Sequence, residues 1–379
     1  MSPYSYDAHS EYINYGELPD SLIQAAELDR IWEPLRHGMQ DTFIPGASVA
    51  ISYRGQVLRY AGGWAIDTPD QRIRTDIHTL YDCASLTKVI VTLPLILHLW
   101  RNGQLDVDDP IARYLPQMNH SPHNIITIRQ LLSHTSGLPA MADFAQRPWT
   151  MDEAIVQIAQ MQLQYEPGTG RIYSDPGFML LGQLFTVITG LSLQEGAAQY
   201  IFQPLHMQDS CFRPASEWVP RIAATEYDAV TASYLQGIVH DENARQLGRI
   251  VGHAGLFATA DDVLKYGLAW LNPSGDTDCH HIHQAAIQRQ TPPIPHIHRG
   301  LGWVLDGDEM DVSGGAFSSA AYGHTGFTGT SLYIDPAREL AVVLLTNRVH
   351  YGRQRPIQQL RRDFHIALAQ QLDTWSNLL

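Results

Sequence analysis

Cysteine is scarce in this chain: of 379 residues only Cys83, Cys211 and Cys279 are cysteines, far apart in sequence. Three scattered thiols make no disulfide framework. Lysine is scarcer still. Of the 25 Lys and Arg residues only Lys88 and Lys265 are lysines. Arginine stays protonated at any accessible pH, whereas a buried lysine can release its proton, so a lysine in so arginine-rich a chain raises a question of chemistry. A long hydrophobic run is missing. The longest, residues 89–97, is interrupted by Thr92 and Pro94 and falls well short of the roughly 20 residues needed to cross a bilayer. Positive charge is in deficit, 25 basic against 39 acidic residues for a net −14. Such a chain repels phosphate backbones and anionic membranes, so neither nucleic acid nor membrane is an expected partner. The opening Met1-Ser2-Pro3-Tyr4-Ser5-Tyr6 has no basic segment and leads into no apolar stretch, which reads as a cytoplasmic protein. There is no internal repeat.

What is present is an ordinary globular mixture, 44% hydrophobic and 17% charged, long enough for a large core and a cleft. A helix is expected over residues 21–40, capped by Asp20 or Ser21, with Ile23, Leu28, Ile31, Leu35 and Met39 on its apolar side. Residues 47–53 and 57–61, joined by Arg54-Gly55-Gln56, read as a β-hairpin. Helical spacing then dominates: a run from Ser85 ending at Gly103, a short helix over 127–134, and further helices over 151–161, 176–189 and 260–271. Strand patterns return at 301–305, 321–324, 330–334 and 340–346, before a last helix over 354–372. Strands at both ends around a helical middle imply an α+β fold. It would be an antiparallel sheet flanked by helices, an αβα sandwich, carrying an inserted mainly helical lobe. Residues 1–84 and 300–379 would form the sheet and 85–299 the lobe, together one catalytic domain.

Three short motifs carry chemistry. Ser85-Leu86-Thr87-Lys88 places a hydroxyl and an amine three residues apart at a helix start, on one face. A serine hydroxyl needs a base to become a nucleophile, and a desolvated lysine can serve. Tyr173-Ser174-Asp175 follows a turn-rich stretch and precedes Pro176 and a helix; a tyrosine beside a lysine can share its proton. His324-Thr325-Gly326, followed by Phe327, lies in a strand where glycine allows close backbone approach and an N–H can face a developing oxyanion.

In type and order these motifs resemble the serine β-lactamase and penicillin-binding protein family. There, Ser-x-x-Lys is followed by a Tyr-x-Asn or Ser-x-Asn triplet and then by Lys-Thr-Gly or a His-x-Gly variant. The tyrosine form points to the class C-like branch, with its esterases and D-amino-acid peptidases. Residues 130–139 (QLLSHTSGLP), 252–257 (GHAGLF) and 323–329 (GHTGFTG) look like that branch as well, so the resemblance spans about residues 20 to 370. It implies a β-lactamase/transpeptidase-like fold with Ser85 as the acylated nucleophile. Lys88 would accept the Ser85 proton or hold Tyr173 anionic, the base being disputed in such families. Tyr173 would protonate the leaving group and later activate water. The N–H groups of Ser85 and Phe327 would form the oxyanion hole, with Asp175, His324, Thr325 and Gly326 lining the substrate cleft.

Two departures bear on the substrate. Asp175 stands where asparagine is usual, and an ionised Asp cannot donate a hydrogen bond; it can instead pair with Lys88 and keep it charged, shifting the base role toward Tyr173. His324 stands where lysine is usual and removes a fixed positive charge. Both favour small neutral esters or amides over β-lactams. The reading is therefore a serine hydrolase acting through an acyl-enzyme, with no cofactor and no metal. Its rivals are a DD-peptidase or D-amino-acid peptidase, an acyltransferase, and a non-catalytic binding protein on the same scaffold. Cys279-His280-His281-Ile282-His283 resembles a metal cluster but is expected in a loop, without ligands from separated segments. Residues 239–244 read either as a loop bordering the cleft or as a buried polar network. His134 and His253, beside glycine turns, are expected to satisfy backbone groups.

Overall fold

Strand-forming sequence from the two ends of the chain meets in one antiparallel sheet. The computed structural model describes residues 11–14, 29–144, 147–248, 250–273, 275 and 277–376. The sheet strands are β1 (Tyr12–Asn14), β2 (Gly46–Tyr53), β3 (Gln56–Asp67), β4 (Arg72–Arg74), β5 (Val304–Leu305), β6 (Tyr322–Thr325), β7 (Ser331–Asp335) and β8 (Leu340–Thr346). Their order is β1-β3-β2-β8-β7-β6-β5, with β4 pairing β3. The β2–β3 hairpin turns at Arg54 and Gly55, both at positive φ, the backbone that matches strand twist in a two-residue turn. Strands β2 and β8 are buried along their whole length, as central strands covered on both faces must be.

Alternation sorts their side chains between two cores. Val49, Ile51, Val342 and Leu344 pack with Trp32 from the 3-10 turn Asp29–Trp32, Leu35 from the helix Glu33–Gln40, and Phe364 and Leu368 from the helix Gln358–Ser376. Ala50, Ala341, Val343 and Leu345 face the opposite layer. That layer is led by the helix Ala260–Leu271, which lies on β2, β7 and β8. Although it comes from the middle of the chain, this helix belongs to the sheet layers and not to the helical lobe.

The lobe is built from Leu93–Arg101, Ile128–Leu132, Met151–Ala159 and Asp175–Thr189. Thr127 and Thr150 close capping boxes on the second and third of these, and Ser174 caps the fourth, which ends at Gly190 in the left-handed region. Among the described residues no single helix is long and apolar enough to cross a membrane.

Three local expectations change. The first helix is confined to Glu33–Gln40 behind a 3-10 turn at Asp29–Trp32, because Pro34 is tolerated only in a first turn. Its expected beginning and cap at Asp20 or Ser21 lie outside the described residues. The strand expected over 301–305 shrinks to Val304–Leu305, since Gly302 takes φ +78 and turns the chain. Residues 279–283 lie in a helix, Thr277–Ile287, and not in a loop. The breakers Pro273 and Gly275 end before it, and Ile282 and Ala286, four apart, give it an inward stripe.

Candidate active site

The short strand Tyr81–Asp82 pairs with Phe257–Ala258, and the chain then turns sharply. Ala84 adopts φ +46, a backbone that non-glycine residues rarely take and that concentrates at functional sites. The turn is held from below: Asp82 Oδ1 accepts the Ala84 N–H at 2.8 Å. Ser85 follows at the head of the helix, where the Lys88 N–H reaches the Ser85 carbonyl at 3.0 Å. Residues 88–92 form one π-helical turn before the α-helix takes over at Leu93, another feature frequent at functional sites.

Lys88 is fully buried. Its Nζ lies 3.1 Å from Ser85 Oγ, 3.0 Å from the His253 carbonyl and 2.7 Å from Asp175 Oδ1. Gly252 makes the carbonyl contact possible, because a Cβ there would sit 2.1 Å from the Phe178 carbonyl oxygen. Burial by itself favours the neutral amine. The Asp175 carboxylate and the Tyr173 phenol outweigh it, and the net direction for Lys88 is upward. Asp175, Asp241 and His253 bring their side-chain ligand atoms within 4.8 Å of one another. Within this group Asp175 pairs with the Lys88 ammonium and Asp241 with His253 Nε2.

Tyr173 is presented by the segment Ser133–Pro139. His134, itself at φ +59, accepts the Ser174 N–H on Nδ1 at 3.0 Å, Ser174 Oγ donates to the Pro139 carbonyl at 2.8 Å, and the Asp175 N–H to Ala140 at 2.9 Å. The Tyr173 ring lies 4.9 Å from Lys88 Nζ, 4.5 Å from the His134 ring and 5.9 Å from the His324 ring. Burial raises the Tyr173 phenol above its ordinary range, and Lys88 opposes this only in part.

The third motif ends strand β6. His324 is buried, and its Nδ1 lies 2.9 Å from the Thr325 carbonyl. A carbonyl only accepts, so Nδ1 carries the proton and Nε2 is a bare acceptor. Burial, with Arg299 and Lys88 adding to it, keeps His324 neutral well below the usual histidine range. Gly326 comes so close to the nucleophile turn that a Cβ would meet the Cys83 carbonyl oxygen at 2.5 Å. Thr328 and Thr330 tie the same loop to the carbonyls of Asp82 and Cys83 at 2.7 and 3.0 Å. Among the described residues the N–H groups of Ser85 and Phe327, on these adjoining turns, have no hydrogen-bond partner. The Phe327 side chain packs with His240 and Arg348.

Ser85, Lys88, Tyr173, Asp175, His324 and Gly326 are thus brought together. Thr325 pairs with Ser331 at the strand end. Residues 239–244 border the site and form a buried polar network at once: the His240 N–H donates to Asp82 Oδ2 at 2.7 Å, and Asp241 lies 2.9 Å from His253 Nε2. Burial would raise Asp241, but the His253 partner and the Ala244 N–H hold it below the usual carboxylate range. His283 turns to the Trp270 carbonyl at 3.0 Å, while His280 and His281 are exposed. The Cys279 side chain lies outside the described residues.

Two features behind Tyr173 carry no sequence motif of their own. The buried Arg299 pairs with Asp308 at 3.2 Å, and Arg171 reaches Asp308 at 3.4 Å and Glu309 at 2.9 Å. His134 is more than a backbone partner, since it also packs against the Tyr173 ring. The low lysine count pointed to Lys88; nothing comparable singles out one arginine among 23.

A family model described as Beta-lactamase matches residues 33–365. A protein of Escherichia coli (strain K12) named "Putative D-alanyl-D-alanine carboxypeptidase" is 32% identical over 326 residues, 78% of this chain and 74% of its own length. A protein of the same name from Salmonella typhimurium is 31% identical over 326 residues, 78% and 75% of the two chains. Among solved structures, a class C β-lactamase matches with a TM-score of 0.73 at 19% identity, covering 90% of this chain and 97% of that one. EstCE1, described as a hydrolase with promiscuous acyltransferase activity, matches with a TM-score of 0.71 at 22% identity, covering 90% and 99%. The antiparallel sheet with its helical layers is the fold of these structures.

Proposed function

The chain belongs to the β-lactamase family, and from that premise we propose that it is a serine hydrolase that forms an acyl-enzyme on Ser85 and releases the acyl group to water. The observation that carries this reading is the Lys88 ammonium, buried and held 3.1 Å from Ser85 Oγ by a carboxylate and a carbonyl. Ser85 Oγ attacks the substrate carbonyl as its proton passes to the Lys88–Tyr173 pair. The oxyanion settles on the N–H groups of Ser85 and Phe327, and the leaving group takes a proton from Tyr173. In the second half the same pair accepts a proton from water, which attacks the ester on Ser85 and restores the hydroxyl.

The substrate class proposed is a small neutral ester or amide. His324 is buried and neutral, and the Arg299 behind it is fully buried against Asp308, so neither offers an exposed cation to a substrate carboxylate. The carboxypeptidase names of the curated relatives favour a second reading, removal of a terminal D-alanine. Incubation with p-nitrophenyl butyrate and with a peptide ending in D-Ala-D-Ala decides between them. Butyryl transfer to the Ser85 peptide, seen by mass spectrometry, with release of butyrate and no D-alanine, is the expected result. Release of D-alanine alone would establish the second reading.

A pH dependence follows from the charges. Lys88 is raised by Asp175, and Tyr173 is raised by burial, so the resting pair holds both protons at neutral pH and the form able to accept the Ser85 proton appears as pH rises. kcat/KM is expected to climb through the alkaline range. Asp175→Asn removes the strongest influence that raises Lys88 and leaves burial, which lowers it. The acid limb of the profile is therefore expected to move to lower pH by about one unit or more. A limb that stays in place would show that Lys88 does not set it.

A further inference from the structure

The Phe327 ring is the one large side chain at the oxyanion turn that the mechanism above leaves unused. It is 49% exposed, although it follows a buried strand, and leaving that much of a phenyl ring in water gains nothing for folding. Yet the ring is held firmly. The Arg348 guanidinium lies 4.6 Å from its centroid, with Nε donating to the Phe327 carbonyl at 2.8 Å. Arg348 is itself fixed by the carbonyls of Arg353 and Arg355, at 2.9 and 2.6 Å. The His240 ring stacks on Phe327 at 5.7 Å and 22°, and Glu226 holds His240 Nε2 at 3.1 Å.

This support runs back to the nucleophile. Asp82 accepts the Ala84 N–H on one oxygen and the His240 N–H on the other, at 2.8 and 2.7 Å. One buried carboxylate therefore fixes both the turn that presents Ser85 and the residue on which the Phe327 ring rests. An aromatic surface immobilised in this way meets a ligand without losing side-chain entropy on binding. Direction follows from Tyr173. The leaving group must face the phenol that protonates it, on the side of Lys88, His134 and His324. The Phe327 ring packs instead with His240 and Arg348, so it borders the acyl half of the substrate.

Resting on the hydrolase reading, we propose that Phe327 is a specificity-determining wall of the acyl pocket, and that the enzyme prefers acyl groups carrying an apolar chain or an aryl ring to short polar ones. The test holds the leaving group constant and compares kcat/KM for p-nitrophenyl octanoate and p-nitrophenyl acetate. A loss common to both esters cancels in the ratio. Phe327→Ser is expected to lower the octanoate-to-acetate ratio by about tenfold or more, the scale set by removing a large apolar contact from a binding pocket. An unchanged ratio overturns the proposal. Binding of octanoate and acetate to Ser85→Ala, with and without Phe327→Ser, provides a readout free of chemistry. Tighter binding of octanoate that disappears with the phenyl ring supports the wall even if no ester is turned over, in which case only the hydrolase reading fails. Equal binding of the two acids to both proteins removes the wall whatever the activity.

Discussion

Ser85→Ala is expected to reduce p-nitrophenyl butyrate turnover by at least about 10³-fold while the protein keeps its fold. The size of the effect comes from chemistry: with the hydroxyl gone no acyl-enzyme forms, and what remains is the slower attack of water assisted by the oxyanion hole. The fold is spared because Ser85 is only partly buried and its hydroxyl meets only groups of the site itself, Lys88 Nζ at 3.1 Å and the Tyr173 phenol, among the described residues. Asp175 at 2.7 Å and the His253 carbonyl at 3.0 Å continue to hold the ammonium. Unfolding temperatures of the two proteins should therefore agree within a few degrees, and side-by-side turnover with intact-protein mass spectrometry checks the rest. Activity that vanishes together with the butyryl adduct assigns the nucleophile to Ser85. Equal turnover in both proteins would place the nucleophile elsewhere, and no turnover in either would favour the peptidase reading.

Elements fixed by local pattern were legible in the sequence; those fixed by packing were not. The hairpin was readable over residues 47–61, because alternation and an Arg-Gly turn specify it locally, though its second strand runs on to Asp67. The helix Ala260–Leu271 was readable from its periodicity and from two aspartates in its first turn. That this helix lies on the sheet and not with the lobe was not readable, because only the sheet's other strands decide it. The same divide runs through the site. Ser85, Lys88 and Tyr173 sit in short motifs whose spacing states their chemistry. Asp82 and His134 act through partners far away in sequence, while Arg299 and Asp241 have partners only 9 and 12 positions on, yet it is the fold that carries those pairs to the site. Asp82 meets a residue 158 positions on, and the Arg299–Asp308 pair matters because the fold sets it behind His324 and Tyr173. The histidine-rich stretch was misplaced in the opposite sense: expected in a loop, it lies in a helix that sends His283 inward and leaves His280 and His281 in solvent.

Lys88→Arg keeps the positive charge and tests whether charge is enough. A guanidinium can pair with Asp175 in place of the ammonium, so the buried carboxylate is not left without a cation. It cannot give up its proton, because its pKa lies far above that of lysine. It is also larger and planar, and it must fit where Nζ now lies within 3.1 Å of both Ser85 Oγ and the His253 carbonyl. If Lys88 passes the Ser85 proton on, kcat/KM falls by about 10² to 10⁴, the range that general-base catalysis supplies. The pH profile then assigns the base. In the wild type the active form appears as a proton leaves the Lys88–Tyr173 pair. In the arginine variant only Tyr173 can lose one, so any remaining acid limb reports the tyrosine beside a permanent cation. Residual activity that still rises with pH is the expected profile, and Tyr173→Phe in the same background should remove it. A Lys88→Arg enzyme at full rate would show that the ammonium serves only as a fixed charge. Tyr173 would then be the sole proton carrier, and the pairing of Asp175 with Lys88 would matter for holding that charge in place.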